Sequence, residues 1–389
     1  MKVLMINVVC GIRSTGRICT DLADALEKNG HTVKIAYGRG YVPQEYQKYA
    51  VRIGTDLSYR MDGFKSRIFD SAGFNSIRET QKFVLWVKEF DPDIIHLHNL
   101  HGYYINISIL FEYIRTCGKR IIWTLHDCWA FTGHCAYFDY AQCDNWKNGC
   151  IQCLQKREYP KSVFLSKAND NYKRKKLLFT NISNLEIVTP SHWLNQIVAE
   201  SFLASYPCET IHNSIDTNIF KYTESDILER NHLLGKKVVL GVASVWDKRK
   251  GLDYFLKLAE VLPEEYRIVL IGLSQKQIKD MPKSIVAFSS TNNINELIQW
   301  YSAAYIFFNP TLEDNYPSTN LEAQACGTPV LTFDTGGSPE SAVRYGTVTD
   351  KDITSIKRHI LFDSYIRRSD SISVNTMVIK YMNLYEEVD

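Results

Sequence analysis

Residues 309–340 read NPTLEDNYPSTNLEAQACGTPVLTFDTGGSPE. The run YIFFNP that leads into them is apolar and aromatic, as a strand covered on both faces should be. EDNYPS is acidic and turn-rich. Residues 319–325 are predicted to form a helix, which Gly327 can end. TPVLTF follows as a second buried strand, and DTGGSPE as a glycine loop. Carboxylates therefore flank a helix start at the carboxyl end of a strand, where ligands bind in open α/β sheets. Unpaired N–H groups at a helix start also attract phosphate. The same letters allow a purely structural reading. Thr319-Asn320-Leu321-Glu322 fits a capping box, and Asp314-Asn315 fits an ordinary turn. Pattern alone leaves both readings of Glu322 open.

The second half repeats one grammar. KKVVLGVAS is a strand, GLDYFLKLAEVL a helix, YRIVLIGL a strand, and IVAFSS, a helix NINELIQWYSAA and YIFFNP follow. The loop VASVWDKRKG places Arg249 and Lys250 just before Gly251 at a helix start. Two cations and the helix dipole there suit a diphosphate; in isolation a basic surface turn fits as well.

The first half begins with an apolar strand at residues 1–9, then GIRSTGR, a helical pattern, and the strand TVKIAYG, which together form a βαβ unit. The full GxGxxG pattern is missing, which argues against a dinucleotide site. Gly16 suits either close approach to a ligand or a plain tight turn. Residues 41–75 read as irregular, and IRETQKFVLWVKEF as a helix. The strands DIIHLHN and RIIWTLHD end in His96, His98, Asn99 and His101, and in His126 and Asp127. Histidines at strand ends are site candidates, although a single one is more often structural.

At 389 residues the chain is expected to form two domains. It is 45% hydrophobic and 23% charged, with a formal net charge of +2, which provides no global drive toward nucleic acid. No run of apolar residues is long enough to span a bilayer. MKVLMINVV reads as a strand and not as a signal peptide, so a cytoplasmic setting with reduced thiols is expected. Four of the ten cysteines, Cys135, Cys143, Cys150 and Cys153, fall within one loop at intervening spacings of seven, six and two residues. The closing CxxC suits structural zinc, and a metal-free thiol loop fits equally. Residues 156–176 are lysine- and arginine-rich with aromatics between. They suit a solvated helix face, or a surface for anionic membrane or a lipid-diphosphate acceptor.

Asp314 and Glu322, followed by ACGTPV and TGGSPE, resemble the donor-sugar site of retaining glycosyltransferases of the GT-B fold, family 4. The resemblance covers most of the chain and is strongest over residues 185–340. It implies two facing Rossmann-like α/β domains with parallel sheets and a cleft between them. Residues 1–214 would hold the acceptor and residues 215–370 a nucleotide sugar, with a helix in 371–389 packing back on the first domain. The donor would be a UDP- or GDP-sugar, bound by Asn315, Tyr316, Ser318, Thr319, Glu322 and the cations, with Gly16 contributing from the first domain. Glu322 would bond the ribose hydroxyls, and Asp314 with Glu313 would orient the sugar. Arg249 and Lys250 would stabilise the leaving diphosphate, Gly336 and Gly337 would permit close backbone approach, and His126 would lie near the reacting sugar. No catalytic metal is implied. The acceptor would be a glycan or lipid-diphosphate-linked sugar of envelope polysaccharide biosynthesis. An epimerase of the same fold and a non-catalytic nucleotide-sugar module are the alternatives. Three positions depart from the family pattern. Asp314 stands for the usual first glutamate, Pro317 for a frequent glycine, and Val245 for an arginine five residues before the lysine.

Overall fold

The computed structural model describes residues 1–343, 345–363, 365 and 376–387. The chain divides into two compact units, Met1–Asn213 with Thr376–Asp389, and Ser214–Asn375. The expected boundary at residues 370/371 lies outside the described residues.

The first unit is a seven-stranded parallel sheet. Its strands are β1 (Lys2–Asn7), β2 (Thr32–Tyr37), β3 (Ala50–Arg52), β4 (Ile94–Leu97), β5 (Arg120–Thr124), β6 (Leu185–Thr189) and β7 (Cys208–Thr210), in the order β3-β2-β1-β4-β5-β6-β7. Successive side chains of β1 enter different cores. Leu4 and Ile6 join one, and Val3 and Met5 join the other. Both faces are thus covered, as a continuous apolar run in a parallel sheet requires. The strand order reverses between β1 and β4, which opens a crevice at their carboxyl ends.

The second unit follows the same logic with β8 (Lys237–Val242), β9 (Tyr266–Ile271), β10 (Ile285–Phe288), β11 (Ile306–Asn309), β12 (Val330–Phe333) and β13 (Gly346–Thr349). The order is β10-β9-β8-β11-β12-β13, all parallel, so the switch point lies between β8 and β11. Val238 and Leu240 enter one core and Val239 the opposite one.

The tail helix Thr376–Glu386 packs against the Arg13–Lys28 helix of the first unit. Its Tyr385 hydroxyl lies 2.6 Å from His96 Nδ1, and its Tyr381 hydroxyl 2.8 Å from Thr124 Oγ1. Residues 371–375, also expected in this helix, lie outside the described residues.

Residues 41–75 correct the expectation of an irregular segment. They contain β3 and a 14-residue helix, Asp56–Phe69, opened by a Thr55–Ser58 capping box. The helix buries its small and polar face, Asp62, Gly63 and Ser66, and leaves Leu57, Met61 and Phe64 outside. Its amphipathicity is inverted, so its apolar period does not mark the core side.

Candidate active site

Three loops of the second unit meet at the carboxyl ends of β8, β11 and β12. After β8, Asp247 caps the short turn Lys248–Lys250, accepting the Lys250 N–H at 3.1 Å. Gly251 follows at φ 72°, and a Cβ there would lie 2.1 Å from Pro310 O. Only glycine lets the β8 loop lie this close to the β11 loop. The two loops are tied three further times. Leu312 N donates to Arg249 O at 2.7 Å, Arg249 NH1 donates to Glu313 O at 2.9 Å, and Lys250 Nζ reaches Asp314 Oδ2 at 2.5 Å.

The glycine loop after β12 closes on the same residue. Gly337 N donates to Asp314 O at 3.2 Å, and a Cβ on Gly336 (φ 55°) would meet that oxygen at 2.0 Å. Asp314 thus has its carboxylate on Lys250 and its carbonyl on the glycine loop. Lys250 and Asp314 are only 20% and 13% exposed, so their attraction is less screened than at an open surface.

The helix Ser318–Ala325 begins at Pro317 with no side-chain cap. Ser318 and Thr319 are its first two residues, and Thr319 is not the N-cap, so the capping box of the structural reading does not form. Pro317, which lacks an N–H, occupies the N-cap. Glu322 is buried and accepts from the Tyr301 hydroxyl at 2.9 Å. Asn315 and Glu313 are buried in the preceding loop. Burial raises the Tyr316 phenol above its usual range, helped by the Glu340 carboxylate. Asn320 anchors the whole corner. Its Nδ2 donates to Ser341 Oγ at 2.9 Å, and its Oδ1 accepts from Asn309 Nδ2 at 2.8 Å.

His126 lies in the first unit, at the end of β5. Its Nε2 is 3.0 Å from His98 Nδ1, and the rings stack. His101 Nε2 contacts Asp127 Oδ2 at 2.7 Å, and its Nδ1 contacts the Tyr159 hydroxyl at 3.0 Å. His98, His101, His126, Asp127 and Trp129 line a small pocket, in which His98 Nε2 is buried without a hydrogen-bond partner. Burial lowers the His126 pKa to about 4 and that of His96 to about 3, and takes His98 well below its usual value. Burial pushes the Asp127 carboxyl up, but His101, the Trp129 N–H and His126 together hold it below the usual carboxylate range.

All three depressed rings are therefore neutral at pH 7. Below pH 6.5 the unfolded chain takes up protons that the fold refuses, so stability is lost as pH falls from 6.5 toward 4. Each ring contributes a slope of up to about 1.4 kcal/mol per pH unit in that window. Urea unfolding between pH 7 and 4 should show a shallower decline for His96→Gln than for the unaltered chain. Identical slopes would contradict this.

Gly16 sits in the first turn of the Arg13–Lys28 helix. A Cβ there would meet Val9 Cγ2 at 3.0 Å and Gly11 N at 3.2 Å, so it serves close packing against the β1 turn. Two features escaped sequence reading. Tyr301 pairs with Glu322 from 21 positions away. Arg39 donates to the Tyr59 hydroxyl at 2.8 Å and has no carboxylate partner among the described residues. The Arg39 signal was a lone cation after a strand, too common to single out.

The model of Glycosyltransferase Family 4 matches residues 15–219, and that of Glycosyl transferases group 1 matches residues 236–361. The chain belongs to glycosyltransferase family 4. It is 23% identical over 428 residues to the putative colanic acid biosynthesis glycosyl transferase WcaC of Escherichia coli K12, covering 100% of both chains. Sucrose-phosphate synthase from Thermosynechococcus elongatus superposes with a TM-score of 0.70 at 14% identity, over 99% of this chain and 98% of that one. Anabaena Alr3699/HepE in complex with UDP does so with a TM-score of 0.61 at 14% identity, over 92% and 89%. These likenesses establish the GT-B fold.

Proposed function

We propose that the chain is a retaining glycosyltransferase. It moves a sugar from a UDP- or GDP-sugar to a glycan or lipid-diphosphate-linked acceptor in envelope polysaccharide biosynthesis. The observation that carries this reading is the Lys250–Asp314 pair at 2.5 Å, clamped by the glycine loop at the switch point of the second sheet. A cation held there meets the negative charge that develops as a diphosphate departs. Asp314, with Glu313, orients the sugar hydroxyls, and Glu322 accepts from the ribose. Arg249 adds charge from the β8 loop in place of the family arginine, whose position is Val245. UDP and UDP-glucose complexes of HepE support a nucleotide-sugar donor, and the name of the WcaC relative supports the pathway.

The reaction needs no protein nucleophile. The acceptor O–H breaks and a new C–O bond forms on the face from which the sugar–phosphate bond breaks. The acceptor proton passes to the departing diphosphate. His126, a neutral imidazole, binds sugar or acceptor hydroxyls. Arg39, among Tyr59, Tyr103 and Tyr159, suits an anionic acceptor group. Product analysis with anomerically labelled donor tests the reading. The expected product is an acceptor glycoside of retained configuration. Inverted product contradicts the stereochemistry. Free epimerised sugar with no acceptor product indicates an epimerase, and binding without turnover indicates a binding module.

The cytoplasmic protein associates peripherally with the inner membrane face in this reading. No helix among the described residues is long and apolar enough to cross a membrane. Leu57, Met61 and Phe64 form an exposed stripe on the Asp56–Phe69 helix, with Arg60 and Lys65 beside them. Val163 N bonds to Arg67 O at the end of that helix, which brings the exposed Phe164 and the lysine-rich segment alongside. Apolar side chains ringed by cations suit an anionic lipid surface. Sedimentation with anionic liposomes should exceed that with neutral ones and weaken with salt, and Phe64→Ser should reduce it. Equal recovery with both lipids at low and physiological salt contradicts membrane association and leaves the transferase reading intact.

A further inference from the structure

The connection between β5 and the helix Ala168–Phe179 is long, and its only regular pieces are two short turns, Trp129–Phe131 and Asn145–Asn148. Loops beyond about 12–15 residues without regular structure are uncommon in compact domains. This one is nonetheless buried, with Trp129, Phe131, Cys135, Trp146 and Cys150 in the core. Backbone ladders do not hold it, so another device is needed.

Cys135, Cys143, Cys150 and Cys153 are all unbridged. Cys135 and Cys150 are buried in the larger core of the first unit, and Cys143 and Cys153 pack against that core. Two of the sulfurs accept backbone N–H groups, Cys150 from Gly133 at 3.1 Å and Cys153 from Gln155. Such bonds favour a sulfur that carries negative charge. Gly149 (φ 100°) and Cys150 (φ 53°) both adopt the left-handed conformation that opens the CxxC turn. For a non-glycine residue this persists only where the surroundings enforce it. A Cβ on Gly133 would lie 2.8 Å from Cys150 Cβ, so the two loop segments are held in close contact.

Lys175 on the helix Ala168–Phe179 ties the start of the loop down. It is buried, and its Nζ donates to Trp129 O at 2.7 Å and Thr132 O at 3.1 Å. No three of the four sulfurs lie within 4.8 Å of one another, so ligation at about 2.3 Å requires them to move together.

We infer that Cys135, Cys143, Cys150 and Cys153 bind one divalent cation of the zinc class, which staples this loop to the first unit. Four thiolates leave no open position, so the ion is structural, and binding releases the thiol protons to solvent. The site stands independently of the glycosyl-transfer reading. His134 is a competing donor. Its Nε2 is buried without a partner, and Asp70 holds its Nδ1 at 2.5 Å.

The test is elemental analysis of the full chain purified under reducing, chelator-free conditions, with cobalt(II) reconstitution. The expected result is one zinc per chain, loss of the metal in Cys143→Ser and Cys153→Ser, and retention in His134→Gln. Cobalt should give intense thiolate-to-metal charge-transfer absorption, which decides the matter even where a serine variant fails to fold. Metal-free protein that gives no such band with cobalt overturns the inference, as do disulfides found among these four residues. Metal lost from His134→Gln but kept in Cys143→Ser overturns the four-thiolate ligand set.

Discussion

Lys250→Ala is expected to lower glycosyl transfer by about 100- to 1,000-fold, the usual effect of removing one group aimed at developing negative charge. Binding of the nucleoside portion should change little, because the proposal assigns Lys250 to the diphosphate. The ammonium is already positioned, held by Asp314 at 2.5 Å and by the capped turn at Asp247. It need not reorganise when the diphosphate takes a share of its charge, and preorganisation of this kind separates a rate effect from a binding effect. Removing it also leaves Asp314 partly buried without its cation, in a place where an anionic donor must approach. Lys250→Arg should recover part of the loss. Arg249→Ala should act in the same direction but more weakly, since NH1 is already engaged by Glu313 O. Steady-state turnover set against nucleotide affinity reads out both. Wild-type turnover in a folded Lys250→Ala protein would remove the diphosphate assignment.

Glu322→Ala should weaken nucleotide binding about 10- to 150-fold, from the roughly 1.5–3 kcal/mol carried by hydrogen bonds to a charged group. The carboxylate is buried and accepts from the Tyr301 hydroxyl, which fixes one of its oxygens. Tyr301→Phe separates the two roles. It should cost affinity only modestly while keeping the charge, whereas Glu322→Ala removes the acceptor itself. Thr319 is the second residue of the helix and does not cap it, so Thr319→Ala should leave stability nearly unchanged. Calorimetric titration with UDP and GDP checks the series. An unaltered affinity in folded Glu322→Ala would reduce Glu322 to a partner of Tyr301.

Where structure depends on local pattern, the sequence was legible. The 309–340 stretch shows its strands by apolar runs and its loops by glycine, and the structure brings Asp314, Lys250 and Gly336 together there. Both parallel sheets follow from the βα alternation and from strands without polar faces. The unreadable parts have physical causes. The Asp56–Phe69 helix turns its apolar side outward and buries Asp62, which bonds Ser66, Asn75 and Ser76. Its apolar period therefore points away from the core. Lys175 lies in a lysine-rich run that reads as solvated, yet it is buried against the Trp129 ring at 3.5 Å. Pairings such as Tyr301–Glu322 and His96–Tyr385 join distant positions, and single-chain spacing carries no trace of them.

The central claim is that the second unit binds a nucleotide sugar through Lys250, Asp314 and Glu322 and releases its nucleoside diphosphate. A panel of UDP- and GDP-sugars, assayed for diphosphate release with and without lipid-linked and glycan acceptors, tests it most directly. The predicted result is release from one of them, accelerated by acceptor, strongly reduced in Lys250→Ala and lost at limiting donor in Glu322→Ala. Folded protein that neither binds nor turns over any member of the panel would contradict the account.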